Sequence, residues 1–78
     1  YRKWRWNSMT IDVILKSIRK ELNISQEQLA RDLNISYTTL NRWENNRSKP
    51  SRLAYMRVKD YCIQKDLSKD MIAELDRL

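Results

Sequence analysis

The sequence predicts an all-α fold, a compact bundle of about five short helices, and three observations lead there. Apolar residues recur at helical spacing in successive stretches, no stretch alternates with a period of two, and Ser, Asn or Pro sits at each junction. With 78 residues there is room for one small core and no second domain. Hydrophobic residues at 41% and charged residues at 33% fit a folded chain rather than a disordered one.

The first helix is expected over residues 11–22. There Ile11, Ile14, Leu15, Ile18 and Leu22 make one apolar stripe, with Thr10 as N-cap. A second, short helix opens at Ser25, where Ser25-Gln26-Glu27-Gln28 reads as a capping box ahead of Leu29, Ala30 and Leu33. Asn34 stops it. The third spans residues 36–45, with Leu40 and Trp43 inward, and ends in Asn45-Asn46-Arg47-Ser48-Lys49-Pro50. A fourth, over residues 51–64, puts Ala54, Val58, Tyr61 and Cys62 on one face, with Leu53 and Met56 close beside it. The fifth opens at Ser68 and carries Met71, Ile72, Leu75 and Leu78, with Leu67 as a hydrophobic staple.

Glycine is absent, so other residues must take the left-handed positions at which helices end. Asparagine tolerates positive φ best among the rest, and Asn23, Asn34, Asn45 and Asn46 each stand at or near a helix end.

Composition also narrows function. One cysteine, Cys62, and no histidine leave no intrachain disulfide and no thiolate and imidazole set for zinc. Cys62 reads as a small buried hydrophobe, and no cofactor, metal or small-molecule ligand is expected. General acid or base chemistry would fall to surface carboxylates with no visible pocket, so the chain reads as no enzyme. No transmembrane or signal segment fits, and a soluble, cytoplasmic chain is expected, nucleoid-associated if prokaryotic.

The net charge is +6 with a pI near 9.8, which suggests a polyanionic partner. The excess is focused: residues 42–59 hold six basic side chains against Glu44 alone.

The two short helices around Asn34-Ile35-Ser36 carry a resemblance to a known family. Ile24-Ser25-Gln26-Glu27-Gln28-Leu29-Ala30-Arg31-Asp32-Leu33-Asn34-Ile35-Ser36, followed by Leu40-Asn41-Arg42-Trp43-Glu44-Asn45, resembles the lambda-repressor-like (Xre-type) helix-turn-helix family over about residues 11–67. Ala30 is small where the two helices cross, and Leu33, Ile35, Leu40 and Trp43 fill the space beneath. The family usually has glycine where this chain has Asn34 and Asn46, and both residues tolerate the left-handed region.

The resemblance implies sequence-specific binding of double-stranded DNA by a transcriptional regulator, with residues 36–45 as the recognition helix in the major groove. With Leu40 and Trp43 inward, the opposite face displays Tyr37, Thr38, Asn41, Arg42 and Asn45. Arg42 suits guanine N7 and O6, Asn41 adenine, and the Thr38 methyl thymine. Tyr37 has three roles open to it: a phosphate contact, a thymine methyl contact, or a shield over the second helix. The family's phosphate contacts map onto Gln26 and onto Arg47, Lys49 and Arg52, with Ser36 and Asn45 at the ends of the recognition helix completing the set. By the same resemblance Arg19 pairs with Glu44 and ties the first helix to the third. Arg57 and Lys59 read as solvated charges.

Residues 1–9, Tyr1-Arg2-Lys3-Trp4-Arg5-Trp6-Asn7-Ser8-Met9, lie outside the resemblance and are expected to be a flexible arm, a linker or an artificial remnant. Residues 10–78 form the expected DNA-binding domain. A homodimer through Met71, Ile72, Leu75 and Leu78 is open, since the same residues are needed to close the core. Two further readings stand beside a regulator: a DNA-targeting module of a larger enzyme such as a modification methyltransferase or helicase, and an antitoxin-type protein-binding module.

Overall fold

The computed structural model describes residues 10–67 and 69–77. Five helices follow one another: α1 (Ile11–Leu22), α2 (Gln26–Leu33), α3 (Tyr37–Glu44), α4 (Arg52–Gln64) and α5 (Lys69–Arg77), with no strand among the described residues. No helix among the described residues is long and apolar enough to cross a membrane. Residues 1–9, Ser68 and Leu78 lie outside the described residues, and with them the expected arm, the start of the fifth helix at Ser68 and one member of the expected dimer patch.

Serine opens three of the helices by accepting a free backbone N–H in the first turn. Ser25, Ser36 and Ser51 take the N–H groups of Gln28, Thr39 and Ala54 at 3.0, 3.0 and 3.2 Å. The capping box at Ser25 forms only by half. The Gln28 side-chain NH2 donates to Asp32 Oδ1 at 2.8 Å, one turn on, and the Gln28 oxygen accepts no bond from the Ser25 N–H. Thr10 stands at the N-cap of α1 but makes no capping bond, its hydroxyl being turned to the Asp12 carboxylate.

The helix ends share one solution. Asn23, Asn34, Asn46 and Asp66 lie in the left-handed region at φ 57°, 60°, 58° and 56°. In each case the next residue's N–H reaches back five positions: Ile24 to Arg19, Ile35 to Ala30, Arg47 to Arg42 and Leu67 to Cys62, at 2.8–3.0 Å. This Schellman pattern satisfies carbonyls that the helix leaves open. Asn45 departs from the expectation, with φ −100° and ψ 12°, and Asn46 alone makes the left-handed step at this end. Asp66 is the left-handed residue that the asparagine pattern does not include.

Packing runs α1 on α3, α2 on α3 and α4, and α4 on α5. Ile14, Leu15, Ile18, Leu29, Leu33, Leu40, Val58 and Cys62 are fully buried, with Trp43, Tyr61, Leu67, Met71 and Leu75 closing the same core. Ile35 is only half-buried. Leu53 and Met56 differ from expectation, being 69% and 54% exposed. At 100° per residue they lie roughly 140–160° around α4 from Val58, so the turn that buries Val58 expels them. Of the expected dimer patch, Met71 and Leu75 are buried in the chain's own core and Ile72 is half-buried.

Longer-range polar bonds fix α4. The Tyr61 hydroxyl donates to Asp32 Oδ2 at 2.8 Å, and Arg57 Nη1 donates to the Leu33 carbonyl at 3.2 Å. Arg57 thus closes the end of α2, beyond the solvated role its sequence suggests.

Arg19 and Glu44 meet as the resemblance implied. Arg19 Nε and Nη2 donate to Glu44 Oε2 and Oε1 at 2.9 and 2.8 Å, a two-pronged contact between α1 and the end of α3. Hydrogen bonding to Glu44 raises the Arg19 pKa above its ordinary value, against the opposing pull of partial burial. The carboxylate is 2% exposed and the guanidinium 27%. That asymmetry decides what each deletion does. Arg19→Ala strands a buried charge and is expected to cost about 3–5 kcal/mol, while Glu44→Ala leaves a cation that can rehydrate and should cost distinctly less. Denaturant unfolding of the two variants checks the order.

Burial pushes the Cys62 thiol up to about 11 from its ordinary value of 9.0. Burial, reinforced by the bond to Asp32, pushes the Tyr61 phenol upward as well. Both groups are neutral in the fold and ionise more readily when unfolded: the stabilisation from Cys62 is complete below about pH 9 and is lost as pH rises toward 11, and that from Tyr61 begins to be lost only above its ordinary value of 10.0. Thermal melts across that window should show falling stability, and Cys62→Ala should remove the first part of the fall.

Candidate nucleic-acid interface

α2, the turn at Asn34, Ile35 and Ser36, and α3 form a helix-turn-helix unit whose inner side is apolar. α3 is held from beneath by Leu40 and Trp43 and from α1 by Arg19. Its outer face is therefore set by the rigid body of the fold.

On that face Tyr37, Thr38 and Arg42 are exposed, and Asn41 is half-buried. Tyr37 is 51% exposed and borders an open recess with Glu27, Ala30, Arg31 and Ile35. Arg47, Lys49 and Arg52 stand exposed on the loop after α3 and at the start of α4. Among the described residues, Arg42, Arg47, Lys49 and Arg52 have no side-chain hydrogen bond or ion pair. Four unneutralised cations on and just beyond one short helix give this side of the molecule a positive field.

The amides are organised differently from the cations. Asn41 Nδ2 donates to Gln26 Oε1 at 3.1 Å, joining α3 to the first turn of α2. Asn45 Nδ2 donates in turn to the Asn41 main-chain oxygen at 2.9 Å and to Asn41 Oδ1 at 3.1 Å. Asn41 thus keeps one N–H and one lone pair for an outside partner. The expected site residues Gln26, Asn41 and Asn45 are brought into one cluster, while Arg42 and the 47–52 cations stand apart from it.

Ser36 is committed locally. Its hydroxyl accepts the Thr39 N–H and donates to Thr39 Oγ1 at 2.8 Å. A phosphate oxygen accepts only, so a phosphate contact from this hydroxyl requires the Ser36 and Thr39 hydroxyls to exchange donor and acceptor roles or to part.

Sequence reasoning does not find the chain from Asn45 through Asn41 to Gln26, because the link from Asn41 to Gln26 joins residues 15 apart in sequence. The Asn41 and Asn45 pair, at i and i+4 on one helix, is the signal that points to it. Asp32 was likewise not singled out, although the Gln28 and Asp32 spacing is visible.

The helix-turn-helix family model matches residues 15–53, which spans the second half of α1, all of α2 and α3, and the basic loop. Comparisons with curated proteins and with solved structures return no match. By that match and by the geometry of α2 and α3, the chain belongs to the lambda-repressor (Xre-type) helix-turn-helix family, whose members bind double-stranded DNA.

Proposed function

We propose that this chain binds double-stranded DNA sequence-specifically as a transcriptional regulator, with α3 in the major groove and residues 10–78 acting as one binding domain. The observation that supports it most is the exposed face of α3 with Thr38 and Arg42, followed in the chain by Arg47, Lys49 and Arg52, the four cations having no side-chain partner among the described residues. Charge alone would suit any polyanion. A short helix presented by a tight turn, with a bidentate donor in its last turn, suits the groove of a duplex.

In this reading Arg42 pairs with guanine, Thr38 gives its methyl to thymine, and Tyr37 and Asn41 complete the base contacts. Gln26 and the N-terminus of α2 meet one phosphate, where free N–H groups and the helix dipole favour an anion. Arg47, Lys49 and Arg52 grip the adjoining backbone.

A protein-binding module is the second reading, and one observation favours it. Leu53, Met56 and Ile63 leave the outer side of α4 apolar and at least 53% exposed. An enzyme reading gains no such support.

Selection from a random duplex library, run beside Arg42→Ala, tests the proposal. Enrichment of paired half-sites about 10 bp apart supports a dimeric regulator, and a single half-site supports a monomeric reader or recruitment module. No enrichment at moderate salt contradicts sequence-specific reading and favours the protein partner. Arg42→Ala should cost about 1–3 kcal/mol and relax one base pair, whereas equal loss on every sequence assigns Arg42 to phosphate. Neutralising Arg47, Lys49 and Arg52 together should lower the slope of log K against log salt by about 0.9 for each. An unchanged slope removes them from the interface.

A further inference from the structure

Three side-chain amides form a chain across the junction of α2 and α3: Asn45 donates to Asn41, and Asn41 donates to Gln26, each at 3.1 Å. A carboxamide can turn over and exchange its oxygen and nitrogen, so such a chain could run in either direction. Here one end is anchored. Asn45 faces the Asn41 main-chain oxygen at 2.9 Å, and a carbonyl only accepts, so the Asn45 atom there must be its NH2. The same NH2 needs the oxygen of the Asn41 amide. That turns the Asn41 NH2 toward Gln26, and Gln26 must answer with its oxygen. The remaining end of the chain is Gln26 Nε2, which has no hydrogen-bond partner among the described residues.

We infer that Asn45 is a positioning residue: by anchoring the amide chain on a main-chain carbonyl, it makes Gln26 offer N–H groups, and not an oxygen, to the DNA backbone. The inference rests on the reading of Gln26 as a phosphate contact. A phosphate oxygen accepts from Nε2 and repels Oε1, so the direction of the chain decides whether Gln26 helps or hinders binding. The role also differs from a direct phosphate contact by Asn45, whose Nδ2 is engaged within α3.

Asn45→Asp tests this, because a carboxylate cannot donate to the Asn41 carbonyl. The Asn41 NH2 should then turn to Asp at position 45, the Asn41 oxygen should face Gln26, and Gln26 should turn its own NH2 inward. The added charge also weakens binding, and a double-mutant cycle with Gln26→Ala removes that contribution. Affinity for one duplex should fall about tenfold more in the wild-type background than in Gln26→Ala. Asn45→Ala frees the chain without a charge and should cost only about twofold, since the amides then populate both directions.

The free protein supplies an independent readout through proton exchange of the side-chain amides. In the wild type the Asn41 NH2 should exchange slowly with water and the Gln26 NH2 quickly, and Asn45→Asp should slow the Gln26 NH2. Equal losses in both backgrounds overturn the inference and make Asn45 an independent contact. A slow Gln26 NH2 in the wild type overturns it too, by reversing the chain. A chain whose exchange rates are as expected but which binds no duplex refutes the proposed function, and with it the use assigned to Gln26, while leaving the amide direction established.

Discussion

A carboxylate inside a core of 15 hydrophobic residues is the constraint around which this small fold is arranged. Glu44 is the one charged residue buried among the described residues, and the Arg19 guanidinium reaches it with two parallel hydrogen bonds. Burying a lone carboxylate is costly, so any arrangement that separates α1 from the end of α3 is penalised. The pair therefore adds direction to what would otherwise be non-specific apolar packing. Leu40 and Trp43 hold α3 down, and the two-pronged bond from Arg19 fixes its rotation against α1. An apolar pair of similar volume could pack as well, but it would set the rotation of α3 less sharply.

The second constraint is the absence of glycine. Four helix ends turn through the left-handed region on Asn23, Asn34, Asn46 and Asp66, each accepting some steric cost that glycine would not incur. The return is rigidity in the unfolded reference, because a chain without glycine has fewer conformations to lose on folding. At Asn34 this matters for the site, since the turn fixes the angle between α2 and α3. At Asn46 it fixes where the basic loop leaves the recognition helix. Arg47, Lys49 and Arg52 stand exposed there, with no side-chain partner among the described residues.

Local chemistry was legible in the sequence and tertiary chemistry mostly was not. Ser25, Ser36 and Ser51 are caps because a hydroxyl there has a free N–H three residues on, a relation the sequence displays directly. The inward pair Leu40 and Trp43 is equally local, and it was enough to orient α3. The Arg19 and Glu44 pair spans 25 residues and was accessible only through family resemblance. Asp66 escaped notice because aspartate inside a charged stretch gives no warning of a left-handed turn. The rotation of α4 was misjudged at Leu53 and Met56 because apolar residues occur all around that helix. Tyr61 on Asp32 and Arg57 on Leu33, contacts spanning 29 and 24 residues, belong to its docked position and have no sequence signature. The amide chain through Asn41 depends on the same docking, applied to α2 and α3.

The proposed function stands on one contact, that of the outer face of α3 and the loop that follows it with the duplex. The most direct measurement is a titration of the isotope-labelled chain with a short duplex of arbitrary sequence at low salt, where backbone contacts alone suffice for binding. Resonances of Gln26, Thr38, Arg42, Arg47 and Lys49 should shift together while those of Leu53, Met56 and Ile63 stay still. Shifts confined to the outer side of α4, with α3 unmoved, would contradict it.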